Sequence, residues 1–466
     1  MIRSYRISFL GSVVLFLLFI LTTQCCQNNA KEEVPVREKI QRPNILLIIA
    51  DDAGWNDMSF HGSEIKTPNI DKLAKNGIQL SRFYVSPTCS PSRATLLTGI
   101  PASRLGIVAP ISGKSEKSLP DSIVTLPQAL KSAGYKTALL GKWHLGLKPQ
   151  SGPSAYGFDY SYGFLHGQID QYAHTYKNGD SSWHRNGKFI TELGHATDLI
   201  TKEAIRYIDE EKQSSKPFFL QLAYSAPHIP LQEPKKWREM YEGVFKATSR
   251  QHYAAAMTHL DSAIGEVLHK LEKEGLGENT VVIFMSDNGA QENWYPTWQY
   301  KGKYGPNPVL GSNLPLRDFK KLNYEGGIRV PAIIAWKDHF DPGYLSNYIS
   351  VEDLMPTLLK IASAKEIPAG VEGRSFLGML TEKDTSNHPI YVRGHLQESY
   401  IAKPWKLIRT RHLERPTEFE LYNIEKDPSE KNDLLKEKSK IAQKMKRALQ
   451  EQFNMDSDSV NVSIKN

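Results

Sequence analysis

The sequence predicts an α/β protein, with a large, doubly wound, mostly parallel sheet followed by a small antiparallel sheet and one helix. Three observations predict it. Asn44 to Ala50 and Thr280 to Met285 are unbroken apolar runs, the mark of strands covered on both faces. Such runs alternate along the chain with amphipathic stretches that close on glycine. After about residue 375 the pattern changes to short strand-like segments and one terminal helix.

The elements follow in order. Asn44–Ala50 is a buried strand that ends in Asp51-Asp52. Pro68 to Gly77 is a short amphipathic helix, and Ile78 to Val85 a strand. Leu126 to Ala133 reads as a helix stopped by Gly134, and Lys136 to Leu140 as the next strand. Leu199, Ile200, Ala204, Ile205 and Ile208 set a helical period over Thr197 to Glu211. Pro217 to Tyr224 is a strand, Tyr253 to Glu274 a long helix before Gly275, and Val330 to Trp336 a further strand. The small sheet takes Ile390 to Arg393, Ser399 to Ala402, Trp405 to Thr410 and Glu418 to Asn423, with a helix over Leu434 to Gln452. This divides the chain into a main domain over 43–375 and a C-terminal subdomain over 376–466.

The first 26 residues read as an export signal. Arg3 and Arg6 precede an apolar core from Leu10 to Leu21, which is shorter than the ~20 residues of a spanning helix. Cys25 and Cys26 stand where an exported lipoprotein carries its acylated cysteine, although Gln24 is larger than the residue such sites prefer. The expectation is export to a bacterial periplasm, or an outer-membrane lipoprotein whose lipid is its sole membrane contact. Residues 27–42 form a polar linker.

Composition narrows the function. Hydrophobic residues are 40% and charged residues 23%, which excludes a disordered chain. The net charge is +7 with both signs interspersed and no basic block. That excludes a nucleic-acid footprint and suits an anionic small molecule or polysaccharide. Of three cysteines, two fall in the leader, so Cys89 is a lone thiol without an internal disulfide partner. It is either a buried structural cysteine or one that is chemically converted.

Ligands of open α/β sheets bind beyond the carboxyl ends of the strands. Two strands here end in adjacent oxygen-bearing residues, Asp51-Asp52 and Asp287-Asn288. One such pair is an ordinary helix cap. Two together point to one hard-cation site, and a set of Asp and Asn without clustered Cys or His favours calcium. Near them, Ser90-Pro91 starts a helix that ends at Gly99. Cys89 then lies at a helix N-terminus, which favours an anion and equally activates a bare thiolate. Arg93 is four residues on, one turn away on the same face.

The segment C-S-P-S-R-A-T-L-L-T-G, Cys89 to Gly99, resembles the C-x-P-S-R-x-x-L-x-x-G signature of the type I sulfatases. G-Y-K-T-A-L-L-G-K-W-H-L-G from Gly134 resembles their second signature. R-P-N-I-L-L-I-I-A-D-D, S-A-P-H-I-P, F-M-S-D-N-G and K-K-L-N-Y-E-G-G-I-R-V-P are similar to further blocks, in family order, from residue 42 to about 430. The resemblance implies an alkaline-phosphatase-like fold and a calcium-dependent sulfuric ester hydrolase. It also implies that Cys89 is oxidised to formylglycine by a maturation enzyme, the aldehyde hydrate being the nucleophile.

Roles follow from the same resemblance. Asp51, Asp52, Asp287, Asn288 and the converted Cys89 match the calcium ligands, and Arg93 the arginine that holds the formylglycine. Lys142 matches a lysine binding nucleophile and sulfate, His144 the proton acceptor, and His228 the group at the leaving oxygen. Lys320 matches the second sulfate-binding lysine, with Lys321 beside it. Lys142 and His144 are two apart, so an extended backbone would point both the same way.

Residues 156–185 are rich in aromatic and hydrogen-bonding side chains that suit a sugar ring, and Trp294, Tyr295, Trp298 and Tyr300 form a second such group. The stretch from Gly157 to His174 resembles arylsulfatase B, which acts on 4-O-sulfated N-acetylgalactosamine. A sulfated carbohydrate of the galactose or N-acetylgalactosamine type is therefore the expected substrate. Two alternatives stand beside it. One is a phosphodiesterase or phosphonate monoester hydrolase on the same scaffold. The other is a non-catalytic, calcium-dependent glycan-binding protein.

Overall fold

The computed structural model describes residues 42–461 apart from 383 and 413. The leader, its two cysteines and most of the linker lie outside the described residues. No helix among the described residues is long and apolar enough to cross a membrane.

A ten-stranded sheet dominates. Its spatial order is Gly343–Leu345, Ile78–Leu80, Ala332–Ala335, Thr280–Ser286, Asn44–Ala50, Phe218–Ala223, Lys136–Lys142, Tyr160–Phe164, Trp183–Arg185, Lys188–Phe189. The five strands from Thr280–Ser286 to Tyr160–Phe164 are parallel, and the strands joining that block on either side run antiparallel to it. Successive residues of the central strand serve opposite faces, as a strand's period of two requires. Ile45, Leu47 and Ile49 pack with Ala94, Leu97, Leu126 and Leu354, under helices Cys89–Thr98, Leu126–Ser132 and Leu354–Ile361. Leu46 and Ile48 pack with Ile70, Ile200, Leu260 and Ile264, under helices Pro68–Asn76, Ala196–Glu211 and Thr248–Lys273. Each buried Leu or Ile contributes about 1.5–3 kcal/mol over leaving it exposed, which anchors the strand ends that carry the site.

The small sheet is antiparallel, in the order Ile390–Arg393, Gln397–Ala402, Trp405–Thr410, Glu418–Asn423. One face puts Ile390, Ile401 and Ile408 against Tyr84, Ile328 and Tyr348 of the main body. The other puts Leu407 and Leu421 against Ala442, Met445 and Leu449 of helix Ser439–Asn454.

Two expected strands are divided. Ile78 to Val85 splits into Ile78–Leu80 in the main sheet and Phe83–Tyr84 in a separate three-stranded sheet with Arg329–Val330 and Ile349–Ser350. Val330 to Trp336 splits around Pro331, which has no N–H to give to a ladder, into Arg329–Val330 and Ala332–Ala335. The terminal helix starts at Ser439 rather than Leu434.

Candidate active site

Strands Asn44–Ala50 and Thr280–Ser286 run parallel with Ala50 opposite Ser286, so the residues that follow each strand meet. The Asp52 N–H donates to Asp287 Oδ1 at 3.3 Å, and Asn288 Nδ2 donates to Asp52 Oδ1 at 2.7 Å. Asp51, Asp52, Asp287 and Asn288 are all buried. Asp52 adopts φ 69°, a left-handed backbone of the kind that persists where surrounding structure over-determines it. At Gly289 a Cβ would fall 1.8 Å from the Gly326 carbonyl oxygen, so glycine lets the two loops close behind Asn288.

Cys89 is the first residue of helix Cys89–Thr98, after Thr88 in extended conformation. Burial pushes its thiol up, against the pull of Lys142 and Lys320 and with the push of Asp287 and Asp51. An unmodified thiol held protonated is a weak nucleophile. Arg93 Nε and Nη2 donate to Asp287 Oδ2 at 2.9 and 2.7 Å, and its Nη1 donates to the Lys142 carbonyl at 3.1 Å. The arginine therefore locks the acidic strand end to the end of strand Lys136–Lys142.

Both buried lysines face the acidic group. Lys142 Nζ donates to Asp51 Oδ2 at 2.6 Å; Lys320 Nζ donates to Asp52 Oδ1 and Oδ2 at 2.6 and 2.8 Å. Lys321 is exposed. Burial pushes the Asp51 carboxyl up to about 7, with Lys142 opposing and Asp287 and Asp52 adding to it. Burial alone would also raise Asp52, but Lys320, then His228 and Lys142, hold it well below the ordinary carboxylate range.

These residues fit a hard divalent cation. Asp51 Oδ1 and Asn288 Oδ1 are buried and have no hydrogen-bond partner, beside two further carboxylates. Asp51, Asp52 and His228 each offer a ligand atom within 4.8 Å of the others. Uncompensated buried oxygens in an oxygen-rich cluster are what such a cation satisfies.

The two histidines are set differently. The expected extended backbone through Lys142 and His144 is not formed. The strand stops at Lys142, and His144 turns to φ 63°, its N–H donating to Leu165 O at 3.0 Å. His144 Nε2 lies 2.9 Å from the Ile111 carbonyl, which a ring nitrogen can only donate to. Nδ1 is then a buried lone pair without a partner, the one place on the ring for a proton, although burial, then Lys142 and Arg93, hold the ring well below the ordinary histidine range. His228 Nδ1 lies 2.7 Å from the Ile229 carbonyl, and its Nε2 is 3.6 Å from Asp52 Oδ2. Burial pulls His228 down to about 3, with Asp52 opposing and Lys320 and Lys142 adding to it, so it is neutral with Nε2 bare.

Three further residues support the site through contacts that the sequence did not signal. Ser90 Oγ donates to the His144 carbonyl at 2.9 Å and accepts from the Ile111 N–H at 3.0 Å. Gly167 lies against His144, where a Cβ would fall 2.4 Å from the ring. Asn313 Oδ1 accepts from the Trp55 and Ala290 N–H groups at 3.3 and 3.0 Å, tying together the loops after the two acidic strands. The two aromatic groups singled out in sequence also meet, through Gln168 Nε2, which donates to Gln299 Oε1 at 3.2 Å and to Tyr300 Oη at 3.4 Å, and beyond them Tyr304 donates to Asp170.

Residues 43–364 match the family described as Sulfatase, and residues 317–455 match the C-terminal part of N-sulphoglucosamine sulphohydrolase. Mouse arylsulfatase J is 35% identical over 340 residues, covering 70% of this chain and 53% of the relative, so the chain spans about half that protein's length. Mouse N-acetylgalactosamine-6-sulfatase is 33% identical over 381 residues, covering 76% of this chain and 69% of the relative. The crystal structure of Ps i-CgsB in complex with k-i-k-neocarrahexaose superposes with TM-score 0.79 at 32% identity, covering 90% of this chain and 94% of that one. A match spanning most of the described residues, on a scaffold whose parallel strands deliver these side chains to one point, places the chain in the sulfatase family, whose members hydrolyse sulfuric esters.

Proposed function

We propose that this protein is an exported, calcium-dependent carbohydrate sulfatase that cleaves O-sulfate from a galactose- or N-acetylgalactosamine-type unit, with residue 89 acting as formylglycine. One observation carries the reading. Two parallel strand ends leave unpartnered buried oxygens beside Cys89 at a helix N-terminus, with a buried lysine on either side. The family match, the relative named N-acetylgalactosamine-6-sulfatase and the similar structure solved with k-i-k-neocarrahexaose support it.

When bound, calcium would be held by Asp51, Asp52, Asp287 and Asn288 and would supply positive charge to the sulfuryl oxygens, while the aldehyde hydrate at residue 89 would supply the nucleophile. The chain's own residues do the rest. The helix N-terminus behind residue 89 directs backbone N–H groups at an anion. Lys142 and Lys320 bring two ammonium groups to the sulfate, fixed by carboxylates before substrate arrives, so little reorganisation accompanies charge development. His144, anchored through Nε2, takes a proton on Nδ1. His228 presents Nε2 and delivers to the leaving oxygen only a proton it has first taken up.

The test is intact-mass analysis of the Cys89 peptide, followed by turnover of nitrophenyl sulfate and nitrophenyl phosphate and a screen of defined sulfated saccharides. The expected result is a converted residue 89, sulfate turnover above phosphate turnover, and loss of more than about 10³-fold in Cys89→Ala. An unmodified Cys89 with full turnover would overturn the nucleophile. Faster phosphate turnover would favour the phosphodiesterase reading.

A further inference from the structure

Two surface segments that flank the site are joined into one wall. The first follows strand Tyr160–Phe164 and begins at Gly167, in contact with the His144 ring. The second follows Asn288 and begins at Ala290, whose carbonyl accepts from the Lys320 N–H at 2.9 Å. Beyond the Gln168–Gln299 contact, the Tyr300 N–H donates to the Lys177 carbonyl at 2.9 Å.

Aromatic rings pack together at this join. His166 stacks on Tyr176 with centroids 4.3 Å apart. Lys177 Nζ lies 4.9 Å from the Tyr176 centroid and 5.5 Å from the Trp298 centroid. Trp298 is 56% exposed. Among the described residues no carboxylate forms an ion pair with Lys177; its ammonium lies over the Tyr176 and Trp298 rings, with the neutral His166 ring nearby. The backbone here is also constrained, with His174, Tyr300 and Lys301 at φ 55°, 53° and 58°. Side-chain-bearing residues persist in that region where the surroundings enforce it, and such positions cluster at ligand clamps.

An exposed indole face offers an apolar plate to the C–H face of a sugar ring, and an uncompensated ammonium beside it offers charge to an anion. We propose that this wall binds the sugar unit next to the one carrying the scissile sulfate. Trp298 lies under that ring, and Lys177 takes an anionic substituent on it. The inference rests on the sulfatase reading above and narrows the substrate to an oligosaccharide whose neighbouring unit bears sulfate or carboxylate.

The test takes the saccharide sulfate best cleaved in the screen and extends it by one unit that is neutral, sulfated or carboxylated, with nitrophenyl sulfate as the reference lacking that unit. In Lys177→Met and Trp298→Ala, kcat/KM on the charged disaccharides relative to nitrophenyl sulfate is expected to fall by about tenfold or more. Lys177→Met should also level the charged and neutral disaccharides, and Lys177→Arg should keep the preference. Whichever charged form is cleaved faster by the unmutated protein names the anion. Equal fractional losses on all substrates, or no preference for a charged neighbour in the unmutated protein, overturns the proposal. If residue 89 is converted and neither nitrophenyl sulfate nor any saccharide sulfate of the screen is cleaved, the sulfatase reading itself fails instead.

Discussion

Between the main sheet and the small sheet, Lys406 Nζ lies 3.0 Å from Glu325 Oε1 and 2.8 Å from Glu430 Oε1, with all three side chains fully buried. At the strand ends, Lys142 and Lys320 meet Asp51 and Asp52 at similar distances and similar depth. The ingredients are the same, and so is one electrostatic outcome. Burial pushes Glu430 up to about 7, with Lys406 opposing and Glu325 adding, much as it does Asp51. The difference lies in the remaining oxygens. Glu325 Oε2 has Tyr84 Oη at 3.2 Å and Arg329 at 3.5 Å, and Glu430 Oε2 accepts from the Glu325 N–H at 2.6 Å. Glu430 Oε1 makes no hydrogen bond but is ion-paired to Lys406 at 2.8 Å, whereas Asp51 Oδ1 and the neutral Asn288 Oδ1 have no hydrogen-bond partner. The cluster between layers has each carboxylate paired and acts as a staple, whereas the one beyond the parallel strands leaves buried oxygens of the kind a cation satisfies.

That contrast can be broken most directly at Asp287. Asp287→Asn is expected to lose bound calcium and turnover together, turnover by more than about 10³-fold, because the cation loses a carboxylate and Arg93 its partner. Full metal occupancy by elemental analysis of the folded variant would contradict the site. Next comes His228→Ala. Loss should be larger on the best saccharide sulfate than on nitrophenyl sulfate, by up to about 10²–10⁴-fold, because a sugar alkoxide needs a proton and nitrophenolate does not. Equal fractional losses would assign His228 to sulfate binding alone.

Lys406→Met probes the staple. It leaves two buried carboxylates without their shared amine and should cost about 3–5 kcal/mol in denaturant unfolding, while the folded fraction keeps its metal and its kcat. Loss of metal at unchanged stability would erase the distinction between the clusters. The smallest effect is expected at a third cluster. His259 lies 2.6 Å from Glu233 and 2.9 Å from Asp198. Burial opposes its charge, but hydrogen bonds to Asp198 and Glu233 raise it to about 9. Its stabilisation is full below the ordinary histidine value of ~6.5 and is lost as pH rises through about 9. The melting temperature of the unmutated protein should therefore fall between pH 7 and pH 10 by several degrees more than that of His259→Gln. Parallel pH profiles would show that the cluster carries no proton-linked stability.

Much of the fold and of the acidic site is legible in the amino-acid sequence. Apolar runs such as residues 45–50 read as strands buried on both faces, because they are short, rich in β-branched residues and not interrupted by a polar side chain that must meet water. Their acidic ends mark the carboxyl edge where an α/β sheet binds ligands. The turn at His144 is not legible. Nothing in Lys142 to His144 signals φ 63°, which arises because the His144 N–H finds Leu165 and its ring finds the Ile111 carbonyl. Nor is the division of Ile78 to Val85, since local pattern describes one strand and cannot say that its two halves pair in different sheets.

Residue type and local period are properties of neighbours in sequence, and they determined the elements, the core faces and which side chains can ligate, bind or transfer protons. Partnership across long separations is a property of packing. Asn288 to Asp52, Arg93 to Asp287 and Tyr300 to Lys177 each join segments that lie far apart in the chain. Only the folded chain decides which oxygens are left without a partner at one strand end, which are closed off between two sheets, and which lysine is left facing aromatic rings instead of a carboxylate.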